Sequence, residues 1–521
     1  MTTQTSSFVT EVPLVVDAAQ ERTLLVRLDA ARQVYNACLG ESLRRLDLVR
    51  QSKAYRRAGR MPKTVEGKAN KDRAKAFADA NAVYGLREYD LHSYAKKFSH
   101  SWLGEHLDSN TVQKLATRAF KTVQQYAFGK RGRPRFRGKN RLRSVEGKSN
   151  ASGILWRDNT LRWKGLELEA IINESDPVIM HGLEARTKYV RIVRREFSGR
   201  NRFFAQLVCE GEPYQKHPVG DGIVGLDIGP STIAVVGDEQ ARLMRFCDEL
   251  VNSQKDVRRL QRKLDRQRRA NNPDNYNQNG TAKKGARRWR KSGRQRQTLL
   301  ELSEIQRKQA AHRKSLHGRL ANEILAMGPT IRTEKLSYKA FQRMFGKSVG
   351  FRAPGMFVSM LRRKAVSAGG AVEEFPTRTT RLSQICICGS VKKKPLSQRW
   401  HRCECGVAAQ RDLFSAFLAR CVEAEVLNAG LAIELWPRAD CFLQAALGNI
   451  QAASSGHLPA SFGLRRAQSS RLNRRQSRSL ANVRPINGEA LDVVAHDQRI
   501  VSREPKRAVV ETEPPGFSHG E

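Results

Sequence analysis

The stretch that decides the fold is DGIVGLDIGPSTIAVVGDE, residues 221–239. Its two apolar runs flank the tight-turn signal Gly-Pro-Ser, which predicts two neighbouring strands of a buried sheet. Asp227 stands at the end of the first run, directly before the turn. A carboxylate at that position lies at the edge of a sheet. Residues 221–380 are therefore predicted to form an α/β domain with a candidate site at Asp227.

Two further acidic residues occupy comparable places. Glu334 ends the predicted strand TIRTE, and Asp412 opens a helical run. Carboxylates that converge at one edge of a sheet repel one another unless cations lie between them. Oxygen ligands favour Mg²⁺ or Mn²⁺, and two such ions stabilise both the attacking and the leaving oxygen in phosphodiester hydrolysis. Alternatively, each acid is a surface charge, and Asp412 is a helix N-cap.

A cysteine-rich segment directly precedes Asp412. Residues 384–417 read QICICGSVKKKPLSQRWHRCECGVAAQRDLFSAF, with two Cys-x-Cys-Gly pairs. Clustered cysteines in a reducing compartment indicate a metal site rather than disulfides. The sequence therefore predicts a metal-bound finger over residues 381–409, with His401 as an alternative ligand or a packed ring beside Trp400. The predicted metal ligands are Cys386, Cys388, Cys403 and Cys405.

The net charge of the 521-residue chain is +43. Such an excess repels itself unless a polyanion offsets it, and nucleic acid is the obvious one. A solvated basic surface is the alternative. Because there is no long apolar run and no signal-peptide pattern at the N-terminus, no membrane span is expected and a cytoplasmic location is predicted.

The remaining pattern suggests several domains. Residues 1–17 hold a strand, residues 18–130 a helical lobe and residues 131–220 further strands, which predicts a β-barrel interrupted by helices. Residues 251–320 predict two basic helices with a disordered or loop tip, residues 410–450 predict helices, and residues 451–521 predict a disordered tail. The residues expected to contact nucleic acid are Arg131, Arg133, Arg135, Arg137, Lys139, Arg258, Arg259 and Arg262.

The segments IVGLDIGPST, RTEKLSYKAF and CICG…CECGVAAQRDLFSAFLA resemble the three RuvC motifs and the interleaved zinc finger of TnpB. TnpB is a family of insertion-sequence proteins related to type V CRISPR nucleases. The resemblance is most specific over residues 221–420. It implies a multidomain α+β and α/β protein: an N-terminal wedge β-barrel with a helical insertion, then an RNase H-like RuvC domain with an inserted zinc finger.

The resemblance also implies roles for individual residues. Asp227, Glu334 and Asp412 would bind Mg²⁺ or Mn²⁺ in an RNA-guided DNA endonuclease, and the four cysteines would bind Zn²⁺. A guide RNA and a double-stranded DNA target would be the partners, in a prokaryotic, nucleoid-associated protein. Two alternatives stay open: a miniature type V CRISPR effector, and a guide-dependent DNA-binding protein that does not cleave. The sequence leaves the oligomeric state unknown.

Two departures from the family pattern stand out. Both cysteine pairs are Cys-x-Cys where the family usually has Cys-x-x-Cys. Around the third acid, Gln410 and Phe414 replace an acid and an asparagine that the family often carries. The three acids themselves remain, so activity is expected, with metal affinity or rate altered.

Overall fold

A computed structural model describes residues 6–285, 288–395, 397–453, 458 and 460–464. The chain divides into two compact units, Met1–Gly463 and Leu464–Glu521. All the elements below belong to the first unit. Apart from Leu464, the second unit lies outside the described residues, as does most of the tail predicted to be disordered. No helix in the described part of the chain is long and apolar enough to cross a bilayer.

The N-terminal elements are a strand, a set of helices and a return to strands. In chain order they are β1 (Ser7–Pro13), α1 (Ala18–Gln51), α2 (Lys53–Arg60), β2 (Thr64–Val65), β3 (Lys68–Ala69), α3 (Lys71–Val83), α4 (Glu88–Ser99), α5 (Leu103–His106), α6 (Ser109–Ala127), β4 (Ser144–Glu146), β5 (Ile154–Arg157), β6 (Thr160–Trp163), β7 (Leu166–Glu169), α7 (Pro177–Glu184), β8 (Thr187–Phe197) and β9 (Arg200–Glu210).

The first strand pairs with the last strand of this part, across the whole helical insertion. β1 lies antiparallel to β9 in a sheet of order β1-β9-β8-β4, and β5, β6 and β7 form a second sheet. An isolated bridge between Leu14 and Ala170 connects the two sheets. Helix α1 begins at a capping box formed by Asp17 and Gln20, which satisfies backbone N–H groups that the first turn leaves free. Closure of the two sheets into a barrel stays a prediction.

The C-terminal elements surround a second sheet. They are β10 (Ile223–Ile228), β11 (Thr232–Val236), β12 (Ala241–Arg245), α8 (Gln254–Ala270), α9 (Gly293–Leu325), β13 (Thr330–Glu334), α10 (Tyr338–Arg352), α11 (Pro354–Ser367), β14 (Ala371–Phe375), α12 (Thr377–Thr380), β15 (Trp400–Arg402), β16 (Ala408–Gln410), α13 (Arg411–Arg420), β17 (Val422–Glu423), β18 (Val426–Leu427) and α14 (Ala429–Ala453).

The central sheet has the order β12-β11-β10-β13-β14. β11 runs antiparallel to its two neighbours β10 and β12, whereas β13 and β14 run parallel to β10. Because side chains alternate along a strand, Val224, Leu226 and Ile228 enter a core shared with α9 and α11. Gly225 and Asp227 point to the opposite face, where α13 lies.

The loop between α8 and α9 is ordered over its described residues, so of the two predicted alternatives the loop is correct. Asn272 donates to the carbonyl oxygens of Arg268 at 2.9 Å and Arg290 at 3.0 Å. Its own side-chain oxygen accepts from Arg290 N at 2.6 Å. One buried asparagine thus ties both ends of the loop together.

In the C-terminal region the structure adds one hairpin to the predicted helices and moves one boundary. The helical run after Asp412 stops at Arg420, and the short hairpin β17–β18 separates it from α14. α14 extends to Ala453, and Ala460–Phe462 form a turn of 3₁₀ helix, so disorder does not begin at residue 451. Short polar hairpins carry little periodicity, which explains why the pattern did not indicate this one.

Candidate active site and metal centre

Asp227 and Glu334 end adjacent parallel strands. The register of β10 on β13 pairs Val224 with Ile331 and Leu226 with Thr333, so the next position along each strand holds a carboxylate. Glu334 points to the same face as Arg332, two residues earlier, which donates to the carbonyl oxygen of Arg420 in α13. Both carboxylates therefore lie on the α13 side of the sheet, at the carboxyl ends of their strands.

Helix α13 runs antiparallel to β10 in a regular register. Arg420 Nε donates to Ile223 O at 3.0 Å, and Ala416 lies against Gly225. Four helix residues rise about 6 Å, and two strand residues rise about 6.6 Å. The same step from Ala416 and Gly225 brings Asp412 over Asp227. The third carboxylate is thus placed by the packing of the helix on the strand.

Gly225 makes this packing possible. A Cβ atom built on Gly225 would overlap the carbonyl oxygen of Ala416. Every residue of α13 is buried, because the sheet covers one side of the helix and the finger and α14 contact it elsewhere. The close approach fixes the height of α13, and therefore of Asp412, above the sheet.

The electrostatics of the three acids reflect their proximity. Burial raises the pKa of Asp227 well above its usual value, and the charges of Asp412 and Glu334 raise it further. Burial also raises the pKa of Glu334 to about 7, against a hydrogen bond from the Leu382 backbone that lowers it. Asp227 and Glu334 remain partly accessible. The mutual repulsion of three such carboxylates is what a divalent cation relieves.

Two arginines that were not predicted as site residues stand beside the acids. The charges of Arg411 and Arg399 lower the pKa of Asp227, partly opposing the rise. Arg411 Nε lies 3.5 Å from Asp412 Oδ1. The Arg411 guanidinium also donates to the carbonyl oxygens of Pro395 and Gln398, at 3.2 Å and 3.0 Å. In the sequence, their position was the only indication of a role: Arg399 lies within the finger, and Arg411 directly precedes Asp412.

The four predicted cysteines form one compact cluster. Their sulfur atoms all lie within 4.8 Å of one another. Cys386 Sγ is 3.5 Å from Cys405 Sγ, and Cys388 Sγ is 3.6 Å from Cys403 Sγ. In a tetrahedral site with Zn–S bonds of about 2.3 Å, sulfur atoms are about 3.8 Å apart. The donor set and its spacing therefore fit zinc. Among the described residues, no other group of three or more metal-ligating side chains comes this close together.

The two Cys-x-Cys-Gly turns share one backbone geometry. Cys386 N donates to Ser390 O at 2.9 Å, and Cys403 N donates to Val407 O at 3.0 Å. Gly389 and Gly406 adopt φ angles of 83° and 92°, which favour glycine. A backbone hydrogen bond from Cys405 is the main reason why the pKa of Cys403 is lowered to about 7, whereas burial raises the pKa of Cys386. The tighter spacing still brings all four thiols together.

The finger leads directly into α13. β15 and β16 form a hairpin in which Trp400 pairs with Gln410, and the second cysteine turn closes it. Gln410 is the N-cap of α13, and its side-chain oxygen accepts from Leu413 N at 2.8 Å. The alternative role of Asp412 as an N-cap is therefore wrong. Asp412 lies in the first turn of the helix, and the finger sets where that turn begins.

Phe414 and Gln410, the two residues that depart from the family pattern around the third acid, are both buried in the structure. Phe414 is buried, stacks on His401 with ring centroids 4.3 Å apart and meets Trp436 edge-on at 5.4 Å. An apolar ring suits this aromatic cluster. His401 packs there and contacts Lys394 through Nδ1, outside the four-thiol cluster, so it is a packed ring rather than a zinc ligand. Gln410 Nε2 is buried without a hydrogen-bond partner among the described residues.

The residues predicted to contact nucleic acid fall into two groups. Arg258 and Arg262 line an open depression of about 510 Å³ along α8, and Arg259 pairs with Asp256 at 3.3 Å. The second group lies on the loop before β4, where Arg133 pairs with Asp47 at 3.4 Å. All eight of these side chains are exposed to solvent.

Residues 355–418 match the family model described as Cas12f1-like, TNB domain. The match covers α11, β14, the finger and most of α13, and so includes the four cysteines and Asp412. Over these residues the chain is TnpB/Cas12f-like, which confirms the resemblance predicted for this segment. No curated protein sequence matches the chain.

Two solved structures are similar to the chain at low identity. One is a cryo-EM structure of the Cas12f1–sgRNA–target DNA complex, with 12% identity, a TM-score of 0.38 and coverage of 79% of this chain and 98% of that chain. The other is a cryo-EM structure of a CRISPR–Cas12f ternary complex, with 11% identity, a TM-score of 0.22 and coverage of 78% and 98%. TM-scores of this size do not establish a shared fold.

Proposed function

We propose that the protein is an RNA-guided DNA endonuclease of the TnpB type, with an RNase H-like RuvC centre formed by Asp227, Glu334 and Asp412. The observation that carries the proposal is the convergence of these three acids on one face and one end of the central sheet. The family-model match over the finger and Asp412 supports the same conclusion.

The three carboxylates would hold two Mg²⁺ or Mn²⁺ ions, which when bound supply a nucleophilic hydroxide and stabilise the leaving oxygen. The chain's own contribution is placement. β10 and β13 hold Asp227 and Glu334 at neighbouring strand ends, and α13 holds Asp412 above them. Arg399 and Arg411 bring positive charge to the same recess, where it would attract the scissile phosphate.

The four cysteines would hold one zinc ion with a structural role. All four positions of the tetrahedron would be filled by thiolates, which leaves no open position for a substrate. Hydrogen bonds from Arg411 to the finger backbone, together with the β15–β16 hairpin, connect the cluster to Asp412. The finger would thus position a catalytic acid without touching the reacting atoms.

Guide RNA and double-stranded DNA are the proposed partners. Their phosphates would offset the net charge of +43, and base pairing with the guide would supply sequence recognition. Arg258 and Arg262 on α8, together with the basic loop before β4, offer surfaces for the phosphate backbone. Binding through phosphates releases counterions, so affinity should fall steeply as salt is raised.

The test is guided cleavage by the purified protein with its copurifying RNA, Mg²⁺ and a matched DNA duplex. Wild type should cleave, and Asp227→Ala should lose cleavage while keeping guide and DNA binding. Asp221→Ala removes an exposed acid from the same segment and should cleave like wild type. Cleavage retained by Asp227→Ala would rule out the proposed active site.

Two alternatives remain as outcomes of the same work. A complex that binds matched DNA in Mg²⁺ but never cleaves it would be a guide-dependent binding protein. A repeat array beside the coding sequence, with array transcripts as the copurifying RNA, would indicate a miniature type V CRISPR effector. An RNA copied from a transposon end would indicate TnpB.

A further inference from the structure

A basic segment between α6 and β4 crosses the surface of α1. We call residues 131–137, RGRPRFR, the strap; it has a cation at every second position. The strap contains no helix or strand. Its four arginines are therefore spread along the whole length of the strap.

Two arginines hold the strap on α1. Arg137 N donates to Asn36 Oδ1 at 2.7 Å, and Asn36 Nδ2 donates to Arg137 O at 2.8 Å. Further along α1, Asp47 pairs with Arg133 at 3.4 Å. The strap therefore runs opposite to α1, and it is ordered although it has no regular secondary structure. A surface fixed in this way loses little conformational entropy on binding.

Phe136 lies between these two attachments and is 61% exposed. Its ring atoms Cε1 and Cζ would be 3.6 Å and 3.7 Å from a Cβ atom on Gly40 of α1. The edge of the ring therefore lies over α1 at Gly40. Most of the ring stays open to solvent, which has a hydration cost that a stacked partner would remove.

The remaining strap cations are available to a ligand. Arg131 and Arg135 are exposed, and neither makes a side-chain hydrogen bond or ion pair with another described residue. They flank the attached Arg133, and Arg135 is next to Phe136 in the chain. The strap thus combines two unengaged guanidinium groups with one open aromatic ring.

We propose that the strap binds an unpaired nucleic-acid strand, with Arg131 and Arg135 on phosphates and Phe136 stacked on a base. An exposed ring beside cations suits a single strand, because bases in a duplex already stack on one another. Cations alone would not distinguish the two. This inference rests on the proposed function, because it assumes a nucleic-acid partner. It adds that the bound nucleic acid is unpaired and that different strap residues bind its phosphates and its bases.

The first measurement maps contact on the full-length protein. A short unstructured RNA containing 4-thiouridine, the corresponding DNA containing 4-thiothymidine and the matched duplex are each photocrosslinked, and the modified peptides are identified by mass spectrometry. The proposal expects a crosslink at Phe136 with one or both single strands and none with the duplex. RNA and DNA arms show which strand is preferred. Single-strand crosslinks that avoid the strap, or equal crosslinking by the duplex, would overturn it.

The second measurement compares variants by fluorescence anisotropy across a salt series. Phe136→Leu keeps an apolar contact for Gly40 but removes the aromatic face, and should weaken single-strand binding about fivefold or more. Arg131→Gln and Arg135→Gln should each make the log–log salt slope shallower by about 0.7. Arg186→Gln is the matched control. The Arg186 side chain is 85% exposed and lies directly before β8, outside the strap. An unchanged affinity for Phe136→Leu would contradict the proposal.

Guided cleavage of each strap variant separates the two ideas. If wild type cleaves guided DNA but single strands do not crosslink to the strap, only this inference fails. If crosslinking and the Phe136 effect hold but Asp227→Ala still cleaves, the proposed active site fails and the strap remains a binding surface for an unpaired strand.

Discussion

At the scale of single residues, Glu334 shows that the candidate centre lowers folding stability when its carboxyl group is ionised. Burial raises its pKa to about 7 from an ordinary value of 4.5. The folded protein therefore binds the proton more tightly than the unfolded chain between these pH values. The stability that this proton gives to the folded state is fully present below about pH 4.5 and is lost as the pH rises through 7. Without metal, the cluster of acids opposes folding at neutral pH.

Glu334→Gln should remove this pH dependence. In metal-free wild type the single carboxyl costs up to about 3 kcal/mol of unfolding free energy between pH 4.5 and 7, and the neutral amide avoids that cost. Chemical denaturation across this range in a chelator should show the variant gaining on wild type as the pH rises. Glu434→Gln, on the exposed side of α14, changes the charge equally outside the centre. An identical gain in both variants would contradict the local explanation.

Gly225 is the residue on which the height of α13 depends. Gly225→Ala should destabilise the protein by more than about 2 kcal/mol, because the new methyl group meets the Ala416 carbonyl of a fully buried helix. Cleavage should fall as well, since Asp412 moves with the helix. Thermal denaturation and guided cleavage measure the two effects.

The matched control for Gly225 is Gly318→Ala. Gly318 lies within α9, and a Cβ there would meet nothing within 4 Å. Replacing a helical glycine by alanine stabilises by about 0.5–1 kcal/mol when there is room. If both alanine variants behaved alike, the close approach of α13 to β10 would not be the cause.

At the scale of elements, the finger and α13 act as one part. The cysteine cluster closes the β15–β16 hairpin, and the hairpin ends at the N-cap of α13. Cys405→Ser should therefore abolish zinc binding and also lower guided cleavage, through a misplaced Asp412. Metal content measured by mass spectrometry should fall from one zinc per chain to none.

Cys441→Ser provides the comparison for the zinc prediction. Cys441 is exposed on α14 and does not belong to the four-thiol cluster. The zinc content and cleavage of this variant should equal those of wild type. A Cys405 variant that lost zinc but cleaved normally would show that the finger does not position Asp412.

The elements also show what sequence can and cannot indicate. β10 could be predicted because its apolar run is continuous up to Asp227, and β13 because a short strand pattern follows a Gly-Pro turn and ends at Glu334. The resemblance to TnpB over the finger is confirmed by the family model. The register of α13 on β10 could not be predicted, because it depends on contacts between residues far apart in the chain. Arg399 and Arg411 were missed for the same reason.

At the scale of the whole molecule, the tip of the β8–β9 hairpin joins the N-terminal strands to the nuclease part. Phe197 lies under the guanidinium of Arg307 in α9, 4.7 Å from ring centroid to Cζ. Ser198 N donates to Glu304 Oε2 at 3.3 Å, and Arg307 pairs with Glu304 at 2.7 Å. A few polar contacts thus connect two halves whose cores are separate clusters.

Arg307→Ala should loosen this connection without unfolding either half. The variant loses a cation–π contact and an ion pair, both of them weak at a solvent-screened site. Backbone amides of the hairpin tip should exchange hydrogen several-fold faster. Arg296→Ala, an exposed arginine elsewhere on α9, should leave that exchange unchanged. Equal exchange rates in the two variants would show that the contact does not restrain the tip.

The antiparallel packing of α13 on β10 also determines when the candidate centre can first exist. During synthesis, Asp227 and then Glu334 leave the ribosome while the face of β10 that carries Gly225 is still uncovered. Only after residues 411–420 emerge does that face receive its helix and the centre its third carboxylate. A nascent chain stopped within the finger therefore has a partly bare sheet and no complete centre. In the proposed endonuclease, this order of translation would delay an active centre until residues 411–420 have been made.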